Sequence, residues 1–444
     1  MAGAAATLGD QAPIADVGPA RRRYILILLL AAYTLSYLDR QVLSILVEPI
    51  ERELKVSDAY MGLLTGPIFV IFYCFLGVPI ARISDRRSRP LVIAVSLTLW
   101  SGFTMLSGFA SSFAVLALAR LGVGFGEAGC NPAAHSLIAD ISKPSERASG
   151  LAFYSLGISL GSLLGLALGG VLADAFGWRA SFMLCGAPGI ALAVVFLLTV
   201  RDPRVRAAAS AAPAGPTLTQ ALRDLAGKPS FWLVSVATGL VALVGYGQTA
   251  FIAAFFLRAH AHAIAIDAAA VGLKSEGFVG LVLGVIGGAA GLTGTLIGGW
   301  LADRFGGRDR RALVTVPALA TIVSLPFRVA LFMAADPATA LVLLVITNVL
   351  GAFWYGPCFA TIQSVTAPHT RATAASISQL ILNLIGLGLG PTLVGVLSTY
   401  LAVNAHLGRI EGLRWSMIAS TFVGLFAVAL FLLARRTIRR DLVS

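Results

Sequence analysis

The stretch YILILLLAAYTLSYLDRQVLSILV, Tyr24 to Val47, is apolar and long enough to cross a bilayer, yet it carries Asp39 and Arg40. A membrane-spanning helix needs about 20 mainly apolar residues. A charge at the bilayer centre costs roughly 2.5–3.5 kcal/mol on insertion scales, so it tends to mark a water-filled pathway and a partner. A second apolar run carries Arg120 and Glu127. Four ionisable groups in two spans, in a chain built of many spans, make transport the expected function.

Working outward, the 444 residues are 57% hydrophobic and 12% charged, about half the charge of an ordinary soluble domain. This is the composition of an integral membrane protein. The net charge of +12 does not indicate nucleic acid, because the basic residues fall in short clusters between apolar runs, where a membrane surface accounts for them. Cys74, Cys130, Cys185 and Cys358 all lie inside apolar runs without metal or disulfide spacing, and the five histidines form no ligand pattern, so no metal and no cofactor is expected. Arg21, Arg22 and Arg23 lead into a full-length span rather than a short cleavable one, so no signal peptide is read.

Twelve spans are expected, over about 24–48, 59–83, 89–109, 113–140, 146–174, 179–200, 230–257, 276–301, 311–333, 337–366, 371–400 and 414–434. All should be helices, because lipid offers backbone groups no partner outside the segment. With the N-terminus in the cytoplasm, 23 of the 33 Lys and Arg fall on that side, 8 outside, and 2 (Arg40 and Arg120) within spans; both termini are then cytoplasmic. The few lysines and many Ala, Gly and Arg suit a bacterial chain, and hence the cell (inner) membrane. A polar linker at 201–229 divides the chain six plus six. The expected domains are a tail at 1–23, a bundle at 24–200, the linker, a bundle at 230–434 and a tail at 435–444. Duplicated halves with a mid-membrane site between them are a common plan for secondary transporters. Internal echoes support it: ARISDRRSR at 81–89 with GWLADRFGGR at 299–308, and KPSERASG at 143–150 with APHTRATA at 367–374.

The first of these echoes, Asp85-Arg86 with Arg89 and Asp303-Arg304 with Arg308, resembles the loop signature of the major facilitator superfamily, Gly-x-x-x-Asp-Arg-x-Gly-Arg. The second copy is complete, whereas Ala81 and Ser88 replace glycines in the first. These six charged residues either latch helices in one state of the cycle or anchor helix ends at the headgroups. Further segments, SYLDRQVLS (36–44), ARLGVGFGEAGCNPAAHSLIAD (119–140), SERASG (145–150) and GWRASF (177–182), resemble the Spinster-like branch. The resemblance implies an all-α membrane protein of two six-helix bundles, usually monomeric, with spans one, four, seven and ten lining a central cavity. It also implies an amphipathic substrate of the lysolipid or sphingoid kind. The antiporters' Gly-Pro element in span five is absent; the proline, Pro391, stands in span eleven.

At 1.5 Å per residue, Asp39 lies roughly 22 Å along span one, with Arg120 at a similar level and Glu127 about 10 Å further along span four. Arg120 is expected to pair with Asp39 or Glu127, protonation of a carboxylate freeing the pair. Asp39 is the first candidate proton carrier and Glu127 the second; the alternative is a permanent ion pair that fixes helix register. Arg40, on the face with Ser36 and Ser44, either binds an anionic head bidentately or pairs with a neighbouring helix. The second half offers Tyr246, Gln248, Asn348, Trp354, Tyr355, Gln363 and Asn383 instead of acids. The expected substrate-binding set is Arg40, Tyr37, Asn131, Tyr246, Gln248, Trp354, Tyr355 and Asn383. Glycines 157, 161, 165 and 169, with those of span eleven, are expected to form the seam on which the halves rock.

The expected function is secondary active transport by alternating access, possible proton exchange included, with small molecule, protons and lipid bilayer as partners. The alternative is a drug or sugar facilitator without ion coupling. No Gly-x-x-x-x-Gly-Lys-Ser/Thr loop for an ATP-driven pump and no enzyme constellation is present.

Overall fold

The computed structural model describes residues 18–86, 88–202, 218–307, 309–368 and 370–443. Among them, eleven helical stretches are long and apolar enough to cross a membrane. The longest, Ser149–Thr199, is two spans. Gly177 breaks it with φ 82° and ψ 164°, a conformation that suits glycine. The Ser181 hydroxyl then donates to the Gly169 carbonyl at 3.4 Å. Twelve residues of continuous helix would separate these groups by about 18 Å, so the chain has reversed, and twelve spans result.

Four spans are interrupted. Span two is Asp58–Thr65 and Pro67–Arg86, broken at Gly66; span four is Phe113–Glu127 and Cys130–Ile141; span ten is Pro337–Gly351 and Tyr355–Val365. Span eleven carries a π-helical segment, Asn383–Leu389, between Arg371–Leu382 and Gly390–Val403. Irregular backbone at membrane depth is tolerated where protein or a cavity surrounds it. The region expected to be linker contains a short helix, Leu218–Ala226, before span seven begins at Pro229.

The spans form two bundles whose buried apolar side chains make three clusters. One, at the end away from the termini, is shared: Leu43, Ile50 and Met61 of the first bundle pack with Phe251, Val279 and Val394 of the second. Toward the termini each bundle has its own, around Trp100, Ile138 and Phe196 in the first and Phe231, Val314 and Phe431 in the second. Among the described residues of the second bundle, only Leu384 and Leu387 of span eleven reach the first bundle's separate cluster. The bundles are therefore joined at the far end and divide toward the termini.

Lipid is as apolar as leucine, so helices associate through close packing at small residues. The glycine stripe of span five does this within the first bundle. A Cβ at Gly161 would collide with the Thr34 carbonyl and one at Gly165 would come within 2.6 Å of the Leu38 carbonyl, both in span one. This corrects the expectation that 157, 161, 165 and 169 form the seam between halves. The seam runs one position round the helix, where Gly170 meets Glu276 and Gly280 meets Leu166. A second seam sets Gly62 and Gly66 of span two against Pro391 and Gly388 of span eleven.

Candidate substrate and coupling site

Ser36 and Arg40 are one helical turn apart on span one and so share a face. Both reach Glu127, which ends the first segment of span four. Glu127 Oε2 accepts from Ser36 Oγ at 3.1 Å, Arg40 Nε at 2.9 Å and Arg40 Nη2 at 2.5 Å. The Glu127 side chain is 1% exposed and that of Arg40 15%. The guanidinium also lies 4.8 Å from the Phe69 and Tyr73 ring centres and 5.1 Å from that of Tyr37, contacts of about 0.5–2 kcal/mol each.

Arg40, not Arg120, is thus the partner of Glu127. Arg120 is buried, lies over Phe69, and forms no ion pair within 4 Å with Asp39 or Glu127; its Nε and Nη1 have no partner among the described residues. The expected Arg120 pairing is corrected accordingly. Asp39, equally buried, accepts from Thr104 Oγ1 at 3.0 Å through Oδ2, while Oδ1 has no partner among the described residues. Beside this cluster, Asn131 donates to Tyr73 and accepts from Tyr154 at 2.5 Å, and Tyr154 stacks on Tyr33 at 4.4 Å. Asn131 is therefore held inside the first bundle by aromatic partners.

A cavity of about 250 Å³ lies between the bundles, lined by Gln41 and Ser162 on one side and Tyr246, Gln248, Arg328, Asn348, Trp354 and Tyr355 on the other. Trp354 stacks on Tyr355 at 3.9 Å where span ten is interrupted. Tyr246 and Tyr355 both line this cavity. Gln248 Nε2 donates to Thr421 Oγ1 at 2.8 Å and the Met417 carbonyl at 3.2 Å, which turns its Oε1 toward Arg328. Asn383 does not line the cavity; it accepts from Gln379 at 3.4 Å in the π-helical segment.

Of the expected latch residues, Arg89 pairs with Asp140, donates to the Ser136 carbonyl at 3.3 Å, and offers its backbone N–H to Asp202 at 3.0 Å. It ties spans three, four and six of one bundle. Asp303 and Arg304 are exposed, with Arg304 over Trp300 at 5.6 Å. Arg308 lies outside the described residues, as do the side chains of Asp85 and Arg86.

Two features escaped sequence reasoning. Arg328, counted as external, sits inside span nine (Ala312–Met333), so three arginines are membrane-embedded. At the far end, Arg258 of span seven donates to Glu48 at 2.6 Å, Glu51 at 2.7 Å and Asp58 at 2.9 Å. Arg409 reaches Glu51 at 2.7 Å, and Ser398 donates to Asp58 at 2.5 Å. Burial and the adjacent Asp58 carboxyl push Glu51 up to about 9, despite the two guanidiniums that pull it down. This cluster bridges the two bundles. Its acidic half reads in sequence as a polar loop, EPIERELKVSD, and Arg258 and Arg409 come from 200 residues away or more, so only the fold assembles it.

Two bundles of six spans, with buried charges inside the first bundle and a cavity between the two, define a membrane transporter. The model of the Major Facilitator Superfamily matches residues 29–391. An "MFS-type efflux pump" of Mycolicibacterium smegmatis is 36% identical over 428 residues, 96% of each chain. "Protein spinster homolog 1" of Homo sapiens is 27% identical, over 94% of this chain and 81% of that one. A solved bacterial homologue of the human lysosomal transporter Spinster, inward-facing and unoccupied, superimposes with TM-score 0.85 and 31% identity over 96% of this chain and 99% of its own. The chain belongs to the Major Facilitator Superfamily. Within that superfamily it is a Spinster-like transporter.

Proposed function

We propose that the chain is a secondary active transporter that moves an amphipathic, anionic small molecule of the lysolipid kind by alternating access, with proton coupling through Asp39. The observation that carries this reading is the cluster in spans one and four. Arg40 and Glu127 neutralise each other, whereas Asp39 has a hydroxyl donor and, among the described residues, no ion pair within 4 Å. Asp39 is the acid that can take up a proton without breaking an ion pair. Protonation there removes a buried charge, and one unit of differential affinity between states is worth about 1.4 kcal/mol. The opposite wall, with Trp354, Tyr355 and Gln248, suits an apolar body and a polar head.

The segments 24–200 and 230–434 act as the moving bodies, and the far-end cluster holds them together in the present, inward-facing state. The positive-inside count supports termini on the cytoplasmic side of the cell membrane. The test is flux of fluorescent lysophosphatidic acid and lysophosphatidylcholine in proteoliposomes with and without an imposed pH step. A pH-responsive flux in the native protein that persists unchanged in Asp39→Asn sinks the coupling role. A second reading, efflux of structurally varied drugs without ion coupling, is favoured by the 36% identity to the mycobacterial efflux pump. Flux of neutral drugs that is blind to the pH step would select it.

A further inference from the structure

Arg328 differs from the other two membrane-embedded arginines in its surroundings. Arg40 is neutralised by Glu127, and Arg120 lies close enough to Asp39 and Glu127 to feel both charges. Among the described residues no carboxylate pairs with Arg328, and the one hydrogen-bond acceptor it meets is the neutral amide oxygen of Gln248. A guanidinium has five N–H donors in a planar fork, so most of them are left over. They are not sealed in protein: Arg328 is half-buried, and it lines the cavity of about 250 Å³ between the bundles. Burying an unpaired cation in a membrane protein is costly, which makes a purely structural role hard to account for.

The surroundings hold the fork in place. Gln248 is itself fixed by Thr421 and Met417, and the guanidinium packs against Gly351, where an added Cβ would come within 2.9 Å of Nη2. We propose that Arg328 forms an anion-binding subsite in the cavity wall that takes the phosphate or carboxylate head of a single-tailed amphiphile, its tail lying along Ile252, Leu283, Leu331 and Phe332. Those four apolar side chains line the same cavity. A planar fork grips a two- or three-oxygen anion bidentately. Arg328 is the one charged side chain among the cavity's described lining residues, so the lining is positive. This inference rests on the reading of the chain as a transporter of amphiphiles and adds where the head binds.

The experiment measures binding of dodecyl phosphate, dodecyl maltoside and dodecyltrimethylammonium to the full chain in nanodiscs, corrected against empty nanodiscs. The three probes share a tail and differ in head charge. The native protein should bind the phosphate at least about tenfold tighter than the other two, the yield expected of charge-assisted hydrogen bonds. Arg328→Met should erase that preference while leaving maltoside binding in place. Removing an unpaired buried charge should not unfold the protein, and the native head-group series decides the matter even where a variant fails. Equal affinities in the native protein, or a preference that survives Arg328→Met, overturns the subsite and leaves the amphiphile reading standing. If none of the three amphiphiles binds, both fall.

Discussion

Removing Arg40 would leave the Glu127 carboxylate, 1% exposed, with a single hydroxyl donor. Breaking a buried pair from one side costs about 3–5 kcal/mol, because the remaining charge is uncompensated. Arg40→Gln should therefore lower the apparent melting temperature markedly, and Arg40→Gln with Glu127→Gln should recover more than half of the loss; additive losses would show that the pair is not coupled. Asp39 behaves differently. Its amide counterpart still accepts from Thr104, so Asp39→Asn should leave thermal stability within about 1 kcal/mol and remove the pH response of flux, read in the same proteoliposomes. The four charges were legible in the sequence because apolar runs make any charge conspicuous. Their pairing was not, because Arg40 and Arg120 are both within reach of Glu127 by helical rise alone. Which one arrives depends on the side-chain direction set by span rotation and by the interruption after Glu127. Arg328 was missed for a related reason: it stands five residues from the end of its span, beyond Pro326, where a sequence reading assigns a cation to the headgroups.

At the scale of elements, span positions followed from hydropathy to within about seven residues, the last helix, Gly408–Asp441, running furthest past its expected bounds, since length and apolarity are what the bilayer selects. The interruptions in spans two, four, ten and eleven did not, because a broken helix and a continuous one have the same hydropathy. Glycine spacing likewise announces a close approach without naming the partner. Gly161 and Gly170 lie in the same helix, yet one faces span one and the other span eight. The seam between spans five and eight is capped from across the interface: Asp174 accepts the backbone N–H of Lys274 at 3.0 Å and of Gly277 at 2.9 Å, satisfying the free donors that begin span eight. A side chain at Gly280 would strike the Leu166 carbonyl. Gly280→Val should thus weaken far-end closure. Spin labels at Lys55 and Asn404, exposed on opposite bundles, should report a longer mean distance than in the native protein. Gly299→Val, whose Cβ meets open space, should leave the distance unchanged, and equal behaviour of the two variants would refute the seam.

For the whole molecule, the far-end cluster makes closure a proton-linked event. Glu48, Glu51 and Asp58 of the first bundle meet Arg258 and Arg409 of the second, with the exposed Arg52 at the edge of the cluster, 3.9 Å from Glu48. Glu51 is the group that takes up a proton. When the bundles part, Glu51 meets water and titrates near the ordinary glutamate value of 4.5; in the closed cluster burial and Asp58 hold it at about 9. A raised value means that the closed state binds the proton more tightly. The proton-linked stabilisation of closure is complete below the open-state value and is lost progressively as pH rises toward about 9. Over that window closing takes up as much as one proton, so the closed-to-open ratio changes by up to about tenfold per pH unit. The Lys55–Asn404 distance distribution in nanodiscs should shift toward the longer population between pH 5 and pH 9, and Glu51→Gln, neutral at every pH, should flatten that dependence and keep the far end closed. On the face opposite the termini, which the positive-inside count assigns to the exterior, an acidic outside would then favour the state open to the cytoplasm. A distance distribution that ignores pH in the native protein, or that keeps its full pH dependence in Glu51→Gln, would remove Glu51 as the proton-linked element and return the cluster to a plain electrostatic clasp.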